Sequence, residues 1–149
     1  MVSALGLDLG AKRIGVAGCD RTGLIATGLT TIHCTNFESI IRPLRAFIDQ
    51  RSVEVLVVGL PYTMDGQIGS QAKKIQKLAH RLSVTLKLPV EFVDERLTSF
   101  AAEQLLLESG HRSHHRSQGR NGLKSHAKNG LIDRKAAAII LQQWLDDRR

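Results

Sequence analysis

Apolar and polar residues follow two different periodicities along the chain, and these predict which segments form strands and which form helices. Five short apolar stretches have the length and composition of strands: residues 4–9, 14–19, 24–32, 54–60 and 90–93. Apolar residues spaced three and four apart predict four helices: residues 37–50, a second from Ser70, a third after Thr98 or Ser99, and a last over 132–146. The order βββαβαβαα predicts one α/β domain over residues 1–149, with a mixed five-stranded sheet and helices on both faces.

The segment 111–130 has no apolar periodicity and no acidic residue, so we predict a mobile loop there. Its five cations recur every four residues and are predicted to contact the phosphates of a nucleic acid: Arg112, Arg116, Arg120, Lys124 and Lys128. Four histidines lie in the same segment: His111, His114, His115 and His126. Their spacing fits no standard metal site, so we expect solvated side chains rather than a metal centre.

The net charge of +7 and the pI of about 9.9 favour a polyanionic partner. Five of the positive charges lie in the segment 111–130, which leaves +2 for the rest of the chain. Only six residues are aromatic, so we expect recognition of backbone shape and charge rather than base stacking. Two cysteines without a metal or redox spacing, and no long apolar run, predict a cytoplasmic protein that binds no membrane.

Asp8 is the first of three acidic positions that suit a metal ion. It lies in an otherwise apolar strand, where a carboxylate needs a partner or a metal because its desolvation costs several kcal/mol. Pairing with Lys12 or Arg13 is the alternative that needs no metal.

Asp94 and Glu95 follow the strand over 90–93, at the edge of the sheet where open α/β folds bind ligands. Successive strand residues face opposite ways, so only one of the two acids enters a shared cleft. The alternative is a solvated strand end in which Arg96 pairs with one of them.

Asp133 lies on the last predicted helix, in the same stripe as Ala137, Ile140 and Trp144. A carboxylate in the first turn of a helix can simply interact with the helix dipole. Three acids gathered at one sheet edge and one inward helix face nevertheless indicate oxygen-only ligation of Mg²⁺ or Mn²⁺.

Four ordered motifs make these residues recognisable: residues 6–17, 57–61 with 64–66, 94–99 and 133–141. In these motifs the chain resembles the YqgF family of pre-16S rRNA nucleases, also described as Holliday junction resolvase-like proteins. The resemblance extends over nearly the whole chain and implies a ribonuclease H-like fold.

The resemblance also implies the roles of individual residues. Asp8, Glu95 and Asp133 are expected to be the catalytic acids and the ligands of two Mg²⁺ or Mn²⁺ ions, which selects Glu95 over Asp94. A fourth acid, if the chain uses one, is expected at Asp65 or Asp94. Three cations near the acids are available to hold substrate phosphates: Lys12, Arg13 and Arg96.

The expected function is therefore metal-dependent hydrolysis of phosphodiester bonds, in processing the 5′ end of pre-16S rRNA, by a monomer or a weak homodimer. One alternative is a Holliday junction resolvase that acts on four-way DNA as a dimer. Another is a non-catalytic RNA-binding assembly factor, for which the basic segment suffices. A third alternative is an ATPase of the actin and sugar-kinase superfamily, which closes two such domains around ATP; 149 residues would supply both only by dimerisation.

Overall fold

The computed structural model describes residues 3–61, 68–94 and 122–148, with the course of the backbone over 122–130. Its strands are β1 (Ala4–Leu9), β2 (Arg13–Cys19), β3 (Ala26–His33), β4 (Val55–Leu60) and β5 (Val90–Asp94). Its helices are α1 (Phe37–Arg51), α2 (Ser70–Leu86) and α3 (Gly122–Asp147). The five predicted strands and three of the predicted helices are confirmed, and the helix predicted after Thr98 or Ser99 falls outside the described residues.

The strands form a single sheet in the order β3-β2-β1-β4-β5. β2 pairs antiparallel with both β1 and β3, whereas β4 pairs parallel with both β1 and β5. The sheet is therefore mixed, as predicted, and β1, β4 and β5 end at the same side of it, which we call the carboxyl edge. Asp8 is the last residue but one of β1 and Asp94 is the last of β5, so both lie at this edge.

Two apolar clusters cover the two faces of the sheet. One contains Leu5, Leu7 and Leu9 of β1 together with residues of α1 and α2. The other contains Ala4 of β1 together with Ile140 and further residues of α3. Helices therefore lie on both faces, as predicted. No helix within the described residues is long and apolar enough to cross a membrane.

The helix α3 begins at Gly122, ten residues before its predicted start. The loop predicted over 111–130 is therefore wrong for residues 122–130, while the remainder of that prediction falls outside the described residues. The later part of α3 is packed on the sheet, with Ala137 and Ile140 buried, and acts as a helix nucleus. Extending an existing helix by these ten residues adds hydrogen bonds without a second nucleation cost, which offsets the low helix propensity of glycine and serine.

The helix α3 contacts the sheet at glycine positions, where its backbone approaches the strands directly. A Cβ atom on Gly15 of β2 would lie 1.9 Å from the carbonyl oxygen of Asp133. A Cβ atom on Gly6 of β1 would lie 2.7 Å from the Cβ atom of Leu141. Such contacts are shorter than any side chain tolerates, so both positions require glycine. The same contacts fix where α3 lies relative to β1 and β2.

The connection between β2 and β3 is held by the carboxylate of Asp20. It accepts hydrogen bonds from the backbone N–H groups of Leu24 (2.9 Å) and Ile25 (3.2 Å) and from the hydroxyl of Thr22. These bonds lower the pKa of Asp20, with the hydroxyl of Thr22 the largest cause and the N–H of Ile25 the next. The ionised carboxylate therefore stabilises the connection more than the protonated form does.

Replacing Gly15 with alanine is expected to lower the free energy of unfolding by about 3 kcal/mol, the upper end of the usual cost of overpacking. The added methyl group would meet the carbonyl oxygen of Asp133, so α3 must move away from the sheet. Urea unfolding measures the change. Gly28→Ala is the control and should cost less, because its methyl group would lie 3.1 Å from the Cβ of Arg134. A Gly15→Ala protein as stable as the unaltered one would contradict the close packing.

At neutral pH, Asp20→Asn is expected to lower the thermal unfolding midpoint, because the ionised carboxylate is removed. The folded-state pKa of Asp20 is below its unfolded-state pKa. Its stabilisation is therefore complete above the unfolded-state pKa and is lost as the pH falls through the folded-state pKa. Unfolding midpoints of both proteins across a series of acidic buffers should converge; a constant difference at every pH would contradict the assignment.

Candidate active site

Asp8 lies on the face of the sheet that α3 covers. Side chains alternate along β1, and its neighbours Leu7 and Leu9 belong to the core beneath α1 and α2. Asp8 therefore projects to the opposite face, where it is half-buried and in register with Gly15 of β2. Residues paired in this way have their Cα atoms about 4.5 to 5.5 Å apart. Asp8 is thus directly beside the glycine against which α3 packs.

Asp133 reaches the same place from α3. Its carbonyl oxygen lies against Gly15, the residue paired with Asp8, and its side chain accepts a hydrogen bond from Arg13. The distance from Nε of Arg13 to Oδ2 of Asp133 is 2.7 Å, at the short end of the range for a charge-assisted bond. The two side chains are only 30% and 17% exposed, so the ion pair is partly shielded from water. The structure therefore brings together two of the three predicted acids.

Asp94 lies at the carboxyl edge but on the other face of the sheet. It is in register with Leu60 of β4, which belongs to the core beneath α1 and α2. Its neighbour Val93 belongs instead to the cluster that contains α3. Asp94 therefore does not share a face with Asp8. Of the two positions expected for a fourth acid, Asp94 is thus placed away from Asp8 and Asp133, and Asp65 stays a prediction.

Several of the predicted site residues fall outside the described part of the chain: Asp65, Glu95, Arg96, Arg112, Arg116 and Arg120. Their roles stay predictions. Within the described residues, no group of three or more His, Cys, Asp and Glu side chains forms a metal site. Asp8 and Asp133 offer carboxylate oxygens alone, which is the donor type that Mg²⁺ and Mn²⁺ prefer. The donors that are present therefore fit such an ion.

Cationic residues lie near both acids along the chain. Lys12 is exposed in the turn between β1 and β2, close along the chain to Asp8. On α3, the backbone positions of Lys128 and Lys124 precede Asp133 by about 7.5 and 13.5 Å along the helix axis, at 1.5 Å per residue. Since the helix is continuous, it leads the end of the basic segment directly to the acids.

Sequence reasoning missed the packing that places Asp133. Gly6 and Gly15 each lie inside a strand, and an interior strand glycine often marks the close approach of another backbone. That signal was available in the sequence. It did not identify α3 as the approaching element, nor the pairing of Arg13 with Asp133.

The chain is similar in sequence to several named proteins. The chain is 57% identical over 148 residues to a Trichormus variabilis protein named "Putative pre-16S rRNA nuclease", which covers 99% of this chain and 90% of that protein. A protein of the same name from Crocosphaera subtropica is also 57% identical, over 99% of this chain and 95% of its own length. One from Thermosynechococcus vestitus is 55% identical, over 99% of this chain and 90% of its own length.

Solved structures support the fold. Thermus thermophilus RuvC in complex with a Holliday junction substrate matches with a TM-score of 0.56 and 15% identity, over 99% of this chain and 96% of that chain. The yeast mitochondrial Holliday junction resolvase Ydc2 matches with a TM-score of 0.54 and 10% identity, over 97% of this chain and 78% of that chain. The fold is therefore ribonuclease H-like, as the sequence resemblance implied.

Nearly the whole chain also matches one family model. That model is described as "RuvX: Holliday junction resolvase" and matches residues 2–147. Together with relatives of more than half identity over nearly the full length, it confirms the resemblance that the four sequence motifs indicated. The chain belongs to the RuvX family, which is the YqgF family of the sequence analysis.

Proposed function

We propose that this protein is a metal-dependent nuclease that processes the 5′ end of pre-16S rRNA in the cytoplasm. The observation that carries the proposal is the placement of Asp8 and Asp133 on one face of the sheet, on either side of Gly15. The names of the relatives support pre-16S rRNA as the substrate, and the positive net charge of the chain suits binding to a nucleic acid.

Asp8, Glu95 and Asp133 are proposed to hold Mg²⁺ or Mn²⁺, two ions in all. Held by these three acids, such ions would supply activation of a water molecule and stabilisation of the charge on the leaving oxygen of a phosphodiester. The fold of the chain positions the two described acids. The sheet holds Asp8, the contact of α3 with Gly15 holds Asp133, and the short bond from Arg13 orients its carboxylate.

The remaining proposed contacts are to phosphates. Lys12 and Arg96 would bind the phosphates beside the cleaved bond, and Arg13 would do so with the guanidinium N–H groups other than Nε. Segment 111–130 would bind the backbone further away. The products proposed from the family resemblance are a 5′-phosphate and a 3′-hydroxyl.

The description of the family favours a second candidate, resolution of four-way DNA junctions. Symmetric resolution needs two sites presented by a dimer, whereas trimming of an rRNA precursor does not. Sedimentation of the protein, alongside cleavage of a pre-rRNA leader and of a four-way junction, separates the two. A monomer or weak dimer that cleaves only the RNA supports the first candidate, and a stable dimer that cuts the junction in symmetric positions supports the second.

Asp8→Asn is expected to abolish Mg²⁺- or Mn²⁺-dependent cleavage, with a rate loss of at least about a thousandfold, while RNA binding is largely kept. Single-turnover cleavage and fluorescence anisotropy measure the two quantities. Asp94→Asn is the matched control: it makes the same chemical change at the same edge but on the opposite face, and should cleave within a few-fold of the unaltered protein.

Two results would contradict this assignment of the acids. Cleavage by Asp8→Asn at the normal rate would show that Asp8 is not a catalytic acid. Equal losses in Asp8→Asn and Asp94→Asn would show that the effect is not specific to the face beneath α3. If the unaltered protein binds the RNA but never cleaves it, the non-catalytic assembly factor is the correct interpretation.

Neutralising the basic segment is expected to flatten the salt dependence of RNA binding. The variant carries glutamine at five positions: Arg112, Arg116, Arg120, Lys124 and Lys128. The slope of log K against log salt concentration should fall by about 0.7 to 0.9 for each phosphate that the variant no longer neutralises. Anisotropy titrations at several salt concentrations in EDTA measure the slope, and an unchanged slope would mean that these charges do not contact the substrate.

A further inference from the structure

The outer face of α2 is a second basic surface, which the proposed function does not use. Within Ser70–Leu86 there is no acidic residue. Five basic side chains, all exposed, form what we call the α2 ridge: Lys73, Lys74, Lys77, His80 and Arg81. The helices α1 and α3, by contrast, each carry acidic residues.

The distribution of charge singles out this surface. Of the net charge of +7, segment 111–130 accounts for five positive charges and α2 for four, with His80 counted neutral. The rest of the chain therefore carries a net charge of −2. All of the excess positive charge lies in two stretches, so a polyanion that binds this protein is attracted to both of them.

The cations of the α2 ridge form one continuous surface. The inner side of α2 is marked by buried Ala79 and Leu82, among others. Steps of four residues advance only about 40° around a helix, so Lys73, Lys77 and Arg81 stay together on the outer side. The guanidinium of Arg81 lies 3.8 Å from the centre of a ring on α1, that of Phe37. This contact restrains the Arg81 side chain and leaves less conformational entropy to lose on binding.

The α2 ridge begins at the carboxyl edge of the sheet, where Asp8 lies on the other face. A cleft of about 410 Å³ separates the start of α2 from the β1–β2 turn, and Lys74 lines it opposite Gly10 and Ala11. Leu9, which lines the same cleft, directly follows Asp8. From there α2 extends for about 25 Å, at 1.5 Å per residue over 17 residues.

The α2 ridge and the helix that ends the basic segment belong to opposite faces of the sheet. α2 packs on the face that contains Leu7, whereas the basic segment leads into α3 on the face of Asp8. A strand whose cleaved bond lies at the carboxyl edge can therefore be held on both sides of that bond. A second copy of this chain is a poor occupant of the ridge, because a two-fold dimer would set its cations against themselves.

We propose that the α2 ridge binds the sugar–phosphate backbone of the RNA substrate, on the side of the cleaved bond opposite to the segment 111–130. This proposal rests on the proposed function, because it assigns a further part of the same substrate. It predicts that the protein contacts a longer stretch of RNA than its acids and basic segment alone would require.

The test compares two double variants. Lys73→Gln/Lys77→Gln removes two charges from the ridge and keeps Arg81, whose ring contact is structural. Arg21→Gln/Arg42→Gln removes two exposed charges from other parts of the surface. RNA binding is measured by anisotropy in EDTA across several salt concentrations, with a pre-rRNA leader of about 40 nucleotides and with one of about six. The shorter RNA offers too few phosphates to occupy the acids, the basic segment and the ridge at the same time.

With the long RNA, the ridge variant should lower the salt slope by about 1.4 to 1.8, which is 0.7 to 0.9 for each of two neutralised phosphates. The loss of affinity should be larger for the long RNA than for the short one. The Arg21→Gln/Arg42→Gln control should keep the slope of the unaltered protein. Thermal unfolding midpoints confirm that both variants are folded.

The failures of the two proposals are distinguishable. If the unaltered protein binds and cleaves the RNA but both variants keep its slope, the ridge proposal is overturned and the proposed function stands. An equal decrease of the salt slope in both variants overturns the ridge proposal too, because it shows a general effect of charge. If the ridge variant weakens binding of a four-way DNA junction but not of RNA, RNA is the wrong occupant. If the unaltered protein neither binds nor cleaves the RNA, the proposed function itself fails.

Discussion

The contact between the backbone of α3 and the glycines of β1 and β2 determines the arrangement of the candidate active site. A helix normally rests on a sheet through side chains on both sides, which keep the two backbones apart. At Gly15 no side chain intervenes, and the carbonyl oxygen of Asp133 lies against the strand. Because Gly15 is paired with Asp8, this single contact places an acid from the last element of the chain beside an acid from the first.

The surroundings of the two acids follow from the same arrangement. Arg13 shares the parity of Gly15 on β2, so its side chain projects toward α3 and meets the carboxylate of Asp133 at 2.7 Å. The ion pair gives a partly buried carboxylate the partner it needs. It also restricts the rotation of that carboxylate, which is what a metal ligand or a catalytic group requires. Two residues of β2 thus act on Asp133: Gly15 determines its position, and Arg13 compensates its charge.

The charge distribution has a physical logic of its own. An edge lined by carboxylates repels a phosphate backbone, and outside its two basic stretches the chain has a net charge of −2. A substrate is therefore brought to the edge by cations that lie beside it. The basic segment leads into α3 on one face, and the proposed α2 ridge follows the other face from the same edge. Long-range attraction and local chemistry are in this way assigned to different surfaces.

The sequence by itself determined the order of strands and helices, the two-sided cover of the sheet and the candidate acids. These depend on local periodicity and on residue chemistry, both of which can be seen within a few neighbouring positions. The motifs were also sufficient to identify the family, which the comparisons confirmed. The early start of α3 was missed because helix propagation from a packed nucleus overrides local propensity.

Only the tertiary structure decided which residues meet. Arg13 pairs with Asp133, which is 120 positions away along the chain, and no local pattern predicts that these two residues meet. The register of Asp94 with Leu60 decided which face of the sheet Asp94 occupies. The packing of α2 decided that the α2 ridge begins at the carboxyl edge. These are long-range relations, fixed by the close approach of whole elements, and the sequence does not contain them in any segment that can be read alone.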